Sequence, residues 1–253
     1  MAGLTAAEKA KYERDGYVIP SYRLPPARVD ALREVLDRLI RDNPTIRPER
    51  LVSAHIEGEN SEGVRGSKAF LDLARDETIL DMVADAIGGD IILWGCQIFC
   101  KPGGDGMEVP WHQDGQYWPI RPLGTCTAWI ALDPSTVENG CMQFLPGSHN
   151  EPVRPHRPLH GDRSASHTLV TDLTPNDVMR PVEIRRGDIT VHNEGVLHGS
   201  GGNNSQSSYR RAYIVALRSE STVAEERRRG FTHSHNDAGE VLDHVDGLRA
   251  TDA

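Results

Sequence analysis

The segment Ile91-Ile92-Leu93-Trp94-Gly95-Cys96-Gln97-Ile98-Phe99-Cys100-Lys101 divides this sequence into two regions of different character. Its β-branched, aromatic and small apolar residues carry no charge before Lys101, and they read as a long buried strand. Downstream, Val109–His112, Thr125–Leu132, Cys141–Leu145, Val182–Ile184, Ile189–His192 and Arg211–Arg218 have the same composition and alternate with Gly, Pro, Asn and Asp turns. Short strands punctuated in this way, with no helical periodicity between them, predict a mainly β fold, an antiparallel sandwich or barrel. The stretch from His149 to Arg180 is polar and poorly periodic and reads as a long insertion or lid. The charged tail after Ser219 reads as peripheral and partly helical.

Upstream of the dividing strand the pattern is helical. Thr5 can cap a short polar helix through about Arg14, and Asp15-Gly16 ends it before the apolar Tyr17-Val18-Ile19. Pro25-Pro26 opens a second helix whose apolar residues Val29, Leu32, Val35, Leu36, Leu39 and Ile40 fall on one face. A third carries Ile79, Leu80, Val83 and Ile87 and stops at Gly88-Gly89. Between the last two, Glu57–Lys68 is rich in Gly, Ser and acidic residues and reads as a mobile loop.

The whole chain has 253 residues, 38% hydrophobic and 26% charged, a balance that excludes wholesale disorder. A formal charge of −9 argues against a general nucleic-acid or anionic-membrane binder. No apolar run approaches the roughly 20 residues that span a bilayer, and the polar N-terminus lacks an apolar leader core. The four cysteines, Cys96, Cys100, Cys126 and Cys141, lie in apolar segments without a CxxC pair. They read as buried thiols in a reducing, cytoplasmic setting.

The chemistry centres on Trp111-His112-Gln113-Asp114. Positions two apart in an extended chain share a face, so His112 and Asp114 can converge on a borderline divalent metal. Far downstream, His198 in Val196-Leu197-His198-Gly199-Ser200-Gly201 ends an apolar run and meets small residues that leave room for a ligand. Two imidazoles and one carboxylate form the facial triad that holds Fe(II) with open positions for a chelating co-substrate and dioxygen. Zinc suits the same ligands, but a redox-inert ion gives no role to the cation pair Arg210-Arg211 on the next strand. A guanidinium matches a carboxylate in two parallel hydrogen bonds, as binding the distal end of a 2-oxo diacid requires. Arg210 and Arg211 point to opposite sides of their strand; Arg210 is the expected clamp and Arg211 the alternative.

With these residues assembled, the chain resembles the phytanoyl-CoA dioxygenase family of Fe(II)/2-oxoglutarate oxygenases. The resemblance runs through Gln97–Pro102, Val109–Asp114, Thr127–Asp133, Glu138–Met142, Pro146–His149, Leu197–Gly201 and Arg210–Ala212, covering roughly residues 8–218. It implies a double-stranded β-helix, or jelly-roll, core with flanking N-terminal helices. A single domain over 1–253 would comprise a helical region at 1–89, a core at 90–218 with its insertion at about 149–180, and a tail at 219–253. The resemblance further implies His112, Asp114 and His198 as iron ligands and Arg210 as the 2-oxoglutarate clamp, with Gln97, Thr127, Trp129 and Ser200 also around the co-substrate. The segment from His198 to Arg210 is about one residue longer than the family's common spacing, which keeps Arg211 open. Because Asp114 is a carboxylate where related halogenases carry a small residue, hydroxylation of a small organic substrate is expected, with O2 consumed and 2-oxoglutarate decarboxylated to succinate.

Other residues have plainer readings. His192 competes with His198 as a ligand but is followed by a turn and reads as a supporting or packing partner. His149 reads as structural; His233 and His235 have ligand-like spacing but lie in the polar tail without an apolar frame and read as solvated. Glu225–Arg229 reads as an exposed helix face. Tyr117, Trp118 and Arg121, directly after the ligand pair, form an aromatic wall with one cation. They are substrate-contact candidates, with packing of the barrel mouth as the alternative. Two other classes use the same fold: a non-redox metal isomerase or hydrolase, and a silent small-molecule binding protein. Oligomeric state is not encoded in any motif.

Overall fold

The computed structural model describes residues 3–88, 90–117, 124–159 and 169–228. In chain order its elements begin with helix α1 (Ala6–Asp15), strand β1 (Tyr17–Val18), helix α2 (Pro26–Asp42), strands β2 (Leu51–Val52), β3 (Gly58–Glu59) and β4 (Arg65–Gly66), and helices α3 (Lys68–Ala74) and α4 (Glu77–Ile87). There follow β5 (Ile91–Lys101), β6 (Val109–His112), β7 (Thr125–Ala131), β8 (Met142–Phe144), β9 (Arg157–Pro158) and β10 (Leu169–Val170). The described chain closes with β11 (Arg180–Pro181), β12 (Ile189–Asn193), β13 (His198–Ser200), β14 (Arg210–Ser219) and helix α5 (Glu220–Arg228).

Local chemistry sets the helix ends. Thr5 and Glu8 form a reciprocal capping box on α1, and Gly16 closes it in the left-handed region at φ 80°. Pro26 starts α2, and Asp76 caps α4 by accepting from the Thr78 and Ile79 amides. Helix α3, absent from the periodicity reading because it is only two turns long, is capped by Ser67 and buries Phe70 and Leu73. The segment expected as a mobile loop is instead the hairpin β3–β4, tied by the Asn60 side chain to the Glu62 and Val64 amides.

Two antiparallel sheets face each other. The larger has the order β1-β12-β7-β14-β5-β2 and the smaller β11-β8-β13-β6, the arrangement of a jelly roll. The N-terminal region is therefore more than helices, since β1 and β2 form both edges of the larger sheet. The outer face of that sheet packs Ile98, Cys100, Ile130, Tyr213, Val215 and Leu217 against Leu32, Leu36, Phe70, Ile79 and Val83 from the helices. Each such buried side chain contributes about 1.5–3 kcal/mol. Between the sheets lies a second cluster around Trp129, Met142, Phe144, Val196 and Ala212.

One irregularity governs which residues of β5 reach the interior. Ala216 pairs with Gly95 and Leu217 with Leu93, so Trp94 is an inserted residue in the β5–β14 ladder. Ile91 and Leu93 face the helices before the bulge, Cys96, Ile98 and Cys100 after it. Of the tail after Ser219 the described residues form helix α5, whose Val223 is buried against Ile92 and Trp94. The expected strand Val182–Ile184 is displaced to Arg180–Pro181, leaving Val182 and Ile184 as buried inter-sheet residues and Ile184 bridged only to Ser135. Within the segment read as a lid, the described residues include the antiparallel pair β9–β10, bound to the metal-candidate strand through Thr171 N–H and the Trp111 carbonyl. All four cysteines are free and buried, and none of the described helices is long and apolar enough to cross a membrane.

Candidate active site

His112 ends β6 and His198 begins β13, and the two are direct partners in the β6–β13 ladder. The chain leaves the strand after His112 and turns into a 3-10 turn, Asp114–Tyr117. Asp114 thus reaches the imidazoles through the turn, not through the strand alternation that the spacing predicts. Asp114 Oδ1 lies 3.3 Å from His112 Nε2 and 3.9 Å from His198 Nε2. One ligand atom from each of the three residues lies within 4.8 Å of the others. His192 approaches the opposite oxygen, Nε2 to Oδ2 at 3.8 Å.

Backbone carbonyls fix the tautomers. His112 Nδ1 lies 2.8 Å from the Pro110 carbonyl and His198 Nδ1 3.0 Å from the Val196 carbonyl. A carbonyl only accepts, so each Nδ1 donates to it and each Nε2 faces Asp114, the atom that carries the lone pair when the ring is neutral. Burial, followed by the His112 charge, pushes His198 down to about 3 against the pull of Asp114, which keeps the ring neutral. Burial opposes the Asp114 charge, but the imidazoles around it, His198 first and then His112 and His192, hold its carboxyl well below the usual range. A neutral His198 imidazole and an ionised Asp114 carboxylate are protonation states that a divalent metal requires.

The Asp114 loop is held from beneath. Gln113 is buried; its amide donates to the Gly195 carbonyl at 2.7 Å and accepts from Arg154 N–H at 2.9 Å. Gly115 N–H donates to the Glu194 carbonyl. The Ser148 hydroxyl accepts from Leu197 N–H, steadying the residue before His198. His149 links the same region to α1 through the Glu13 carbonyl.

A cavity of about 260 Å³ opens beside the three ligand candidates and is lined by Gln97, Thr127, Trp129, Ser200 and Arg210 among others. Arg210 is 1% exposed and lies 5.3 Å over the Trp129 ring. Its Nε and Nη2 have no hydrogen-bond partner among the described residues. Burial pushes it down to about 10, still charged at neutral pH. Arg211, on the opposite face, is engaged by Asp133 at 2.6 and 3.0 Å and by Asp37. Gln97 donates weakly to the Glu49 carbonyl at 3.5 Å, and the Thr127 hydroxyl lies 3.4 Å from Asp114 Oδ2. Tyr117 is 38% exposed, its ring edge-on to His112 with centroids 6.4 Å apart. Trp118 and Arg121 lie outside the described residues, as do His233, His235 and Arg229.

Sequence reasoning missed the apolar remainder of the lining. Val52 and Ser53 come from β2 and its end, Trp94 and Gly95 from the bulge, and Ile214 and Ala216 from β14. The last two were legible, since Arg210, Ile214 and Ala216 are even-numbered positions of one strand. The bulge that aims Gly95 inward has no sequence signature of its own.

The site's donors fit an iron ion with a keto acid: two Nε2 lone pairs, one carboxylate, and a buried guanidinium with two unmet N–H groups facing the same cavity. The family model described as phytanoyl-CoA dioxygenase (PhyH) matches residues 12–212. A probable phytanoyl-CoA dioxygenase of Caenorhabditis elegans is 26% identical over 224 residues, 80% of this chain and 72% of that protein. The peroxisomal phytanoyl-CoA dioxygenase of Bos taurus is 27% identical over 222 residues, 80% of this chain but only 65% of its own length. Among solved structures, EctD from S. alaskensis with 2-oxoglutarate and 5-hydroxyectoine superposes with a TM-score of 0.65 at 18% identity, covering 87% of this chain and 77% of that one. At that identity the likeness speaks for the jelly-roll fold alone.

Proposed function

From the premise that this chain belongs to the phytanoyl-CoA dioxygenase (PhyH) family, we propose that it hydroxylates a small organic metabolite at the site described above. It is an iron- and 2-oxoglutarate-dependent dioxygenase. Bound iron, 2-oxoglutarate and O2 supply a two-electron oxidation in which the keto acid gives succinate and CO2 and one oxygen atom enters the substrate.

The chain's own residues do the following. His112, Asp114 and His198 would hold the metal through two Nε2 atoms and one carboxylate oxygen, the rings oriented by the Pro110 and Val196 carbonyls. Arg210 would take the distal carboxylate of 2-oxoglutarate on Nε and Nη2, with Trp129 beneath the guanidinium. Thr127, Ser200 and Gln97 offer hydrogen-bonding groups around it, and the apolar lining excludes water from the reacting centre. Tyr117, Trp118 and Arg121 stay proposed substrate contacts.

The single observation that carries this reading is Arg210: a buried cation with two unsatisfied donors beside a metal-ready triad has no use in a redox-inert isomerase, hydrolase or silent binder. Burial of the four free thiols supports a reducing, cytoplasmic setting, and the −9 charge supports a small-molecule partner over nucleic acid or membrane. The family match from residue 12 to residue 212 supports one domain. The test is succinate release, screened over a panel of candidate metabolites. A true substrate stimulates release and gains one oxygen atom; absence of 2-oxoglutarate-dependent succinate release with any metabolite, or without one, counts against the proposal.

A further inference from the structure

Lys101 ends β5 directly opposite Arg210 of β14. It is 1% exposed, a rare placement for an ammonium group to which no carboxylate of the described residues is bonded. Its Nζ donates to Ser200 Oγ at 2.7 Å, to the Ser200 carbonyl at 3.4 Å, and to the Gly201 carbonyl. Ser200 in turn lines the cavity together with Arg210. The Asn203 amide secures the backbone of the same residue by donating to the Lys101 carbonyl at 3.0 Å.

The two carbonyls only accept, so two of the N–H groups on Nζ are committed to them whatever the charge state. The third position on the nitrogen faces the Ser200 hydroxyl. A neutral amine there presents a lone pair, and the Ser200 proton turns back to it. An ammonium presents an N–H, occupies a lone pair on Ser200 Oγ, and frees the hydroxyl proton for another acceptor.

We propose that Lys101 is a positioning residue for the keto acid: once protonated, it turns the Ser200 hydroxyl into a donor toward the cavity, so that binding a 2-oxo diacid beside Arg210 takes up one proton. The groups around the lysine fit this coupling. Burial and then the Arg210 charge push it down to about 6, against the pull of Glu108, Glu49 and the Cys141 thiol. Glu49 is itself held by Arg47 and by Met107 N–H, so among the described residues neither it nor Glu108 offsets burial and the Arg210 charge enough to keep the lysine protonated at neutral pH. A dianionic ligand does, and it restores the ammonium form.

This inference rests on the proposed keto-acid site, and the experiment separates the two. Protein loaded with redox-inert Mn(II) is titrated with 2-oxoglutarate by calorimetry in buffers of differing ionisation enthalpy. The wild type takes up one proton per ligand, and its affinity falls about tenfold per unit between about pH 6.5 and about pH 8.5. Lys101→Met binds 2-oxoglutarate about tenfold more weakly at the lower pH, has lost that slope, and gains no further loss from Ser200→Ala. Its affinity for 2-oxopentanoate, which lacks the distal carboxylate, is unchanged. A Lys101→Met protein with wild-type affinity and slope would overturn the inference. So would a wild type, or a folded Ser200→Ala when Lys101→Met does not fold, whose proton uptake contradicts the coupling: none in the former, an undiminished proton in the latter. Failure of the wild type to bind 2-oxoglutarate at all would overturn the keto-acid reading itself.

Discussion

His198 stands directly across the β6–β13 ladder from His112, with ring centroids 4.2 Å apart. Backbone register, not loop conformation, sets this approach, and carbonyls bonded to each Nδ1 fix the rings. Replacing either histidine by alanine is therefore expected to lower iron affinity by more than about a hundredfold while the ladder persists. Equilibrium dialysis measures the first effect, and an unfolding midpoint within a few degrees of wild type reports the second.

Arg210 and Arg211 are adjacent but have opposite duties, and their variants separate them. Arg211→Met strands the buried Asp133 beside only Arg33 and is expected to lower stability by about 3 kcal/mol. Its 2-oxoglutarate KM stays near wild type. Arg210→Met removes a buried cation whose Nε and Nη2 have no hydrogen-bond partner among the described residues, so stability holds or rises while the KM for 2-oxoglutarate climbs at least about tenfold. A denaturant titration beside succinate kinetics distinguishes the pair.

Glu194 predicts a pH dependence of stability. The residue is fully buried, and burial, with the Asp114 charge, pushes it up to about 8 against the backbone N–H groups of Glu194 and Thr125 and the Arg218 charge. Its folded-state value exceeds the ordinary 4.5, so the folded protein holds a proton the unfolded chain has lost. Stability from this group is complete below about pH 4.5 and declines as pH rises to about 8. Glu194→Gln should remove that decline and raise stability at neutral pH, on the order of a few kcal/mol. Unfolding curves across the pH range check the sign.

Gly95 governs room in the cavity. A Cβ there meets nothing within 4 Å, and Ala216 is its partner across the ladder. Gly95→Leu is expected to fold, to bind iron and 2-oxoglutarate as before, and to lose substrate oxidation by at least about tenfold as the added methylenes occupy the pocket. Succinate formed without matching product is the diagnostic readout.

Much of this architecture was legible from residue type. Strands β5, β7, β12 and β14 declare themselves because both of their faces are buried, and α1, α2 and α4 because caps and periodicity coincide. Strand β13 was hidden: His198-Gly199-Ser200 has no strand composition and exists only because β6 and β8 pair with it on either side. The Trp94 bulge was invisible for a related reason, since register is a property of two strands and not of one. The metal triad could be assembled from His112, Asp114 and His198, although a turn and not a strand brings Asp114 round. Lys101 has no role legible in its own segment, because only the fold sets it against Ser200 and Arg210.

The central claim is that one iron ion and one keto acid meet at His112, Asp114, His198 and Arg210. Anaerobic addition of Fe(II) and 2-oxoglutarate tests it most directly by absorption spectroscopy. The wild type should develop a weak visible charge-transfer band that saturates at one equivalent of each, absent in His112→Ala and weakened at equal keto-acid concentration in Arg210→Met. A wild-type spectrum that stays featureless, or a band that survives intact in His112→Ala, would contradict it.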